Sequence, residues 1–125
     1  MNLLSGKITG TGERTTVALA GGGTAVSTVP STDRDMGASV NIGVRPEDFM
    51  EVEDPAASYV YEGVVDITEA LGEVTLLYFE PGDTGVAVIG KLPGIHADLR
   101  GKPVRMTAAP EKVHVFHEGR SLLYR

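Results

Sequence analysis

The 125-residue sequence has no cysteine and no tryptophan, only three phenylalanines and four tyrosines, and no apolar run long enough to cross a membrane. Without cysteine, a disulfide framework, a thiolate zinc site and a thiol nucleophile are all excluded. That absence also fits a reducing, cytoplasmic compartment. The apolar part of Met1–Gly6 is too short to read as a signal peptide. Basic residues are scarce, with 11 Lys and Arg against 17 Asp and Glu and a net charge of −6. A nucleic-acid groove needs a basic face interleaved with aromatics, so this balance argues against nucleic acid as a partner. No phosphate-binding loop is present: Gly101-Lys102 is followed by Pro103, and no glycine precedes it at the required spacing. Gly10-Thr-Gly12 lacks the third glycine of a dinucleotide fingerprint. No serine sits in a nucleophile elbow. Of the three histidines, His114 and His117 are spaced to fall on opposite faces of a strand, which is poor for chelation. No catalytic, cofactor-binding or metal-ligating set emerges. No segment keeps a helical period over three turns.

What is present favours strands. Val, Ile and Thr make 31 residues, and short alternating segments lie between Gly, Pro and Asp turns. The alternation predicts strands at 3–10, 15–20, 25–28, 38–45, 49–52, 61–69, 74–79, 85–90, 102–108, 113–116 and 121–124. The stretches 30–36 and 92–99 read as loops, the second with one helical turn, and Pro81-Gly-Asp83 as a turn. Segment 74–79 is apolar on both faces and reads as the most central strand. Val65 and Ile67 are expected to face one way. Many short strands at close spacing imply one all-β domain over 1–125, a sandwich or small barrel. Its expected core includes Val40, Ile42, Val44, Leu76, Tyr78, Val104 and Met106.

One pattern occurs twice. Gly37, Val40, Pro46 and Glu47 recur 64 residues later as Gly101, Val104, Pro110 and Glu111. Each copy reads as a tight turn, a strand, a Pro-Glu corner and a second strand. This implies an internal duplication, with half-repeats of approximately 3–53 and 60–118. Two features carry a possible binding chemistry. Glu47, Asp48, Glu51 and Glu53 form an acidic strip without Lys or Arg among them, extended by Glu69 and Glu73 from the hairpin around Leu71-Gly72. The strip reads as a solvated strand edge or as a docking face for a basic partner. Gly21-Gly-Gly23 reads as hairpin turn chemistry, or as a backbone nest for an oxyanion.

Gly43-Val-Arg45-Pro46-Glu47-Asp48, then Glu62-Gly63-Val-Val65 with Gly72 downstream, then Pro110-Glu111-Lys-Val-His114-Val-Phe116 occur in an order and spacing that resembles a known family. It is the C-terminal regulatory domain of ATP-binding subunits of sugar-type ABC importers, the maltose and glycerol-phosphate group. That domain is of the transport-associated OB (TOBE) type. The resemblance covers nearly the whole chain. It implies an OB-fold-like barrel, TOBE/MOP-like, belonging to a longer ATPase subunit whose ATPase domain precedes Met1-Asn-Leu-Leu4. The implied function is regulation and dimerisation, without catalysis by this domain. ATP and Mg would belong to the parent's ATPase domain, and no cofactor to this one. Implied partners are that ATPase domain, a second ATPase subunit, the permease subunits and a cytosolic regulatory protein, at the inner face of the cell membrane. A second implied function is binding of a small oxyanion such as molybdate, as related OB-type domains do.

The missing phosphate loop generates a first prediction. The isolated chain shows no saturable ATP binding by calorimetry and no ATPase activity above buffer.

Overall fold

A computed structural model describes residues 1–81 and 87–122. The strands are β1 (Asn2–Gly10), β2 (Thr15–Leu19), β3 (Thr24–Ser27), β4 (Ser39–Val44), β5 (Met50–Val52), β6 (Tyr61–Ala70), β7 (Val74–Phe79), β8 (Ile89–Pro93), β9 (Pro103–Thr107), β10 (His114–His117) and β11 (Arg120–Ser121). Single 3-10 turns cover Asp33–Asp35, Pro46–Asp48, Ala97–Leu99 and Pro110–Lys112, and no α-helix occurs among the described residues. The chain is therefore all-β, as its composition and short alternating segments require.

Two antiparallel sheets form, in the orders β11-β10-β4-β1-β2-β3 and β5-β9-β6-β7-β8. Each takes in strands from the other half of the chain, β10 with its short neighbour β11 in the first sheet and β5 in the second. β5 leaves the first half and pairs with β9, Glu51 opposite Met106. β10 leaves the second half and pairs with β4, Val115 opposite Ile42. The Pro-Glu corners make this exchange. Arg45 (φ −71°, ψ 146°) and Ala109 (φ −62°, ψ 144°) are both extended before a Pro-initiated 3-10 turn. Proline disfavours helical geometry in the residue before it and then supplies the fixed φ of the turn. Each turn also packs on a strand of the other half: Pro46–Asp48 on β8, and Pro110–Lys112 on β3.

The strands leading to the corners start alike. Gly37 and Gly101 both have φ +80°, a left-handed conformation that glycine enters without a Cβ penalty. The amide of Gly37 donates to the carbonyl of Ile8 at 2.8 Å, and that of Gly101 to the carbonyl of Val65 at 2.7 Å. Ile8 and Val65 each sit at a register shift in their hairpins. Buried threonine hydroxyls also recur. Thr15 donates to the carbonyl of Val29, and Thr75 to the carbonyl of Gly94.

The core contains Ile8, Val17, Ile42, Val44, Phe49, Val65, Leu77, Phe79, Val104 and Met106 among others, so five of the seven expected core residues are buried. Leu76 and Tyr78 are not. The inward residues of β7 are Thr75, Leu77 and Phe79. A strand apolar on both faces carries no phase of its own, and pairing with β6 sets which face is inside. The same pairing explains Ile67. A bulge between Val65 and Ile67 turns Val65 into the core while Ile67 stays 51% exposed. The most central strand of its sheet is β6, with β7 one place outward. Of the stretches expected to be loop, 30–36 contains the Asp33–Asp35 turn, and Leu92 and Pro93 extend β8. The expected turn at 81–83 and strands at 85–90 and 121–124 fall partly outside the described residues.

Besides the shared core, a buried side chain of β1 reaches across to β8 of the other sheet. Asn2, 6% exposed, donates from Nδ2 to the carbonyl of Ile89 at 2.7 Å and accepts the Ile89 amide at Oδ1 at 2.9 Å. Asn2→Asp keeps the acceptor, loses the donor and sets a carboxylate against a carbonyl. It is expected to lower stability by about 1–3 kcal/mol. The check is the urea midpoint, which should fall with an unchanged m value.

Candidate functional site

The acidic strip lies where the two halves exchange strands. Glu47 and Asp48 occupy the corner turn, Glu51 sits in β5, and Glu53 follows it. Glu47 and Glu53 are exposed, whereas Asp48 and Glu51 are half-buried. Glu51 and Glu53 line a surface groove with Val52, Pro55, Glu62 and Arg105. Glu47, Asp48, Glu69 and Glu73 do not line it; the last two are exposed on and beside the β6–β7 hairpin.

The groove contains a cation that the local sequence does not show. Register places Val52 and Glu62 on either side of Arg105, so all three share one face. Arg105 Nε donates to Glu62 Oε2 at 2.5 Å. One terminal nitrogen donates to the carbonyl of Pro55 at 3.1 Å, and the guanidinium lies 4.7 Å from the centre of the Tyr59 ring. The hydrogen bond to Glu62 holds the Arg105 pKa above its ordinary value, outweighing the opposing effect of desolvation. Arg105 thus ties β6, β9 and the linker between the halves. The alternation of Val104 and Met106 marks Arg105 as outward-facing. Its partner, 43 residues away, depends on strand register and could not be read locally.

The other motif residues sit at the same junctions. Gly43 is in β4, where a Cβ would collide with Met1 Sδ and lie 2.9 Å from Phe116 Cε2. Glycine here lets β10 lie against β4 with Phe116 across it. Gly63 lies on β6 beside Tyr61 and Phe79, whose rings meet edge to face at 5.2 Å. Burial raises the pKa of the Tyr61 phenol. Gly72 turns the β6–β7 hairpin, and Arg45 and Glu111 are exposed at the two corners. His114 is half-buried on β10, and its Nε2 has no hydrogen-bond partner among the described residues. No group of three or more His, Cys, Asp and Glu is arranged to hold a metal ion among the described residues. None of their helices is long and apolar enough to cross a membrane. At Gly21–Gly23 the chain turns between β2 and β3. Gly23 is packed so closely on the Val60 backbone that a Cβ would overlap the carbonyl.

The family model for the TOBE domain matches residues 42–116. The alpha-glucoside transport ATP-binding protein AglK of Rhizobium meliloti (strain 1021) is 45% identical over 116 residues, 93% of this chain and 32% of AglK. The sn-glycerol-3-phosphate import ATP-binding protein UgpC of Rhodopseudomonas palustris (strain BisB18) is 33% identical over 90 residues, 60% of this chain and 25% of UgpC. The chain thus spans less than a third of the length of these relatives. The cytoplasmic molybdate-binding protein ModG, solved with molybdate bound, superposes with a TM-score of 0.69. The match covers 93% of this chain and 95% of that one, at 13% identity, a likeness of fold alone.

Removing the Arg105 clamp should loosen the linker more than the barrels. Arg105→Gln is expected to speed amide exchange at Ala57 and leave Ile42 and Leu77 protected, measured residue by residue by hydrogen exchange. Equal rates at Ala57 would show that Arg105 does not hold the linker.

Proposed function

We propose that this chain, which belongs to the TOBE domain family, acts within the ATP-binding subunit of a sugar-type ABC importer as its C-terminal regulatory and dimerisation domain. The observation that carries this reading is the 45% identity to AglK over nearly the whole chain, combined with a span of only a third of AglK. In this reading the activity belongs to the parent subunit. ATP and Mg would be bound by an ATPase domain upstream, and this chain would contribute surfaces and no catalysis. Its partners would be that domain, a second ATPase subunit, the permease subunits and a cytosolic regulator, at the inner face of the membrane. The half-repeats 3–53 and 60–118 are read as a duplication, supported by the matched corners and left-handed glycines.

The surface proposed to receive a regulator is the acidic strip, centred on Glu51 and Glu53. Arg105 is engaged by Glu62 and by the linker, leaving Glu51 and Glu53 with no ion pair among the described residues. A basic partner would complement them, and such binding weakens with salt because exposed charges are screened beyond about 8–10 Å. Oxyanion binding is the second reading, favoured by the shared fold with ModG. It ranks lower because that likeness is of architecture, whereas the sequence identity is to importer subunits.

The test uses the full-length subunit in cells lacking its gene. Glu51→Lys combined with Glu53→Lys is expected to preserve solute uptake and to relieve its inhibition by the regulator. Unchanged inhibition would return the strip to a solvated edge. Uptake of every solute tested continuing without the gene would overturn the importer reading itself.

A further inference from the structure

The two halves finish their outer edges differently. At the 64-residue offset, β5 corresponds to β10. Thr15 bonds the carbonyl two residues after Ser27, and Thr75 the carbonyl two residues after Leu92, so Ser27 and Leu92 correspond as well. Around β10 the seam is stitched. Ser27 Oγ donates to the carbonyl of Val113 at 2.7 Å, and the Thr28 amide donates to the carbonyl of Pro110 at 3.3 Å. The short strand β11 covers part of the outer edge of β10. Around β5 none of this recurs. Leu92 has no hydrogen-bonding side chain, and no strand lies beyond β5 in its sheet. No backbone hydrogen bond crosses from β5 to β8 among the described residues. The chain after β5 turns instead into the linker held by Arg105. The stitched seam leaves a cavity of about 80 Å³, the open one a groove of about 300 Å³.

That groove is lined by Phe49, Met50, Glu51, Leu92, Pro93 and His96, and Met50 is 49% exposed. Glu51 stands opposite Met106, whose carbonyl accepts the Val60 amide on the side away from β5. Opposed residues of an antiparallel ladder either bond each other or both turn away. The amide and carbonyl of Glu51 are therefore directed to the free edge. Its half-buried carboxylate has no ion pair among the described residues. The facing edge of β8 is largely closed. Asn2 holds both backbone groups of Ile89, Pro93 has no amide, and the Pro93 carbonyl accepts His96 Nε2 at 2.7 Å.

We propose that β5 receives an extended segment of a partner protein as an added strand. The segment bonds the backbone of Glu51, sets apolar side chains in the groove and a basic side chain at the Glu51 carboxylate. Glu47, Asp48 and Glu53 surround β5 in the chain and favour a cationic segment. This deepens the docking role proposed for the acidic strip and rests on it for the charge of the partner. The edge is three residues long, so affinity is modest, with a Kd of roughly 10–1,000 µM.

The experiment titrates the full 125-residue chain with a capped peptide of alternating lysine and valine, followed by amide NMR. Saturable shifts are expected at Met50, Glu51 and Leu92, with slowed exchange of the Glu51 amide. Glu51→Gln, at an edge and compatible with folding, should weaken binding about three- to tenfold. The same peptide N-methylated at every residue cannot donate to the ladder and should weaken about tenfold or more. A peptide of alternating glutamate and valine should not bind. No saturation near about 1 mM overturns the proposal, as do shifts confined to the groove around Arg105. Equal binding by the N-methylated peptide overturns strand addition, and equal binding by the glutamate peptide overturns the basic partner. A regulator still relieved by the Glu51→Lys and Glu53→Lys pair, with no peptide bound, keeps the acidic docking surface and rejects the added strand. Solute uptake enters none of the peptide measurements and tests the importer reading separately.

Discussion

The structure depends on a reciprocal loan of strands. A sheet built from one half alone would expose the hydrogen-bonding edge of β4 or β9 to solvent, and unpaired edges invite association with other chains. Each half covers the other's edge, β10 on β4 and β5 on β9. The exchange works only if the chain turns sharply after the lending strand, and proline provides that turn twice. The buried residues immediately beyond the corners, Phe49 and Val113, then complete the core from the far side. Packing and topology are therefore one constraint. Neither half can bury its apolar face without the other, so folding must rely on contacts distant in sequence, which favours slow and cooperative folding.

Much of this was legible in the sequence because the relevant signals are local. Glycine before a strand, proline before a glutamate and alternation of Val, Ile and Met each report on a few adjacent residues. Hence the corners, the β4 and β9 cores and the all-β class could be read from the chain. The misplacement of Leu76 and Tyr78 has an equally definite cause. The inward phase of β7 is imposed by β6, whose own phase changes at the bulge beyond Val65. A bulge leaves little mark in a pattern of apolar residues. The same continuous apolarity that suggested a central strand instead marked a strand with one face in the core and one outside.

The acidic strip was visible as a run of charges, but its electrostatics were not. Arg105 enters from another strand and is engaged by Glu62 and the Pro55 carbonyl. Charge runs describe a neighbourhood along the chain, whereas potential depends on neighbours in space. The motif residues Gly43, Gly63 and Gly72 likewise take their meaning from positions where strands cross or reverse.

The Asn2 side chain has a final consequence. Its amide both gives and takes a hydrogen bond at Ile89, the part a neighbouring peptide unit would play in a ladder. At that point β8 is already paired with a strand one residue long. An incoming chain seeking to extend the sheet at Ile89 would have to displace these two bonds. The side chain thereby discourages growth sideways, by strand addition, at this end of β8. Association through an edge, left open, can continue without limit.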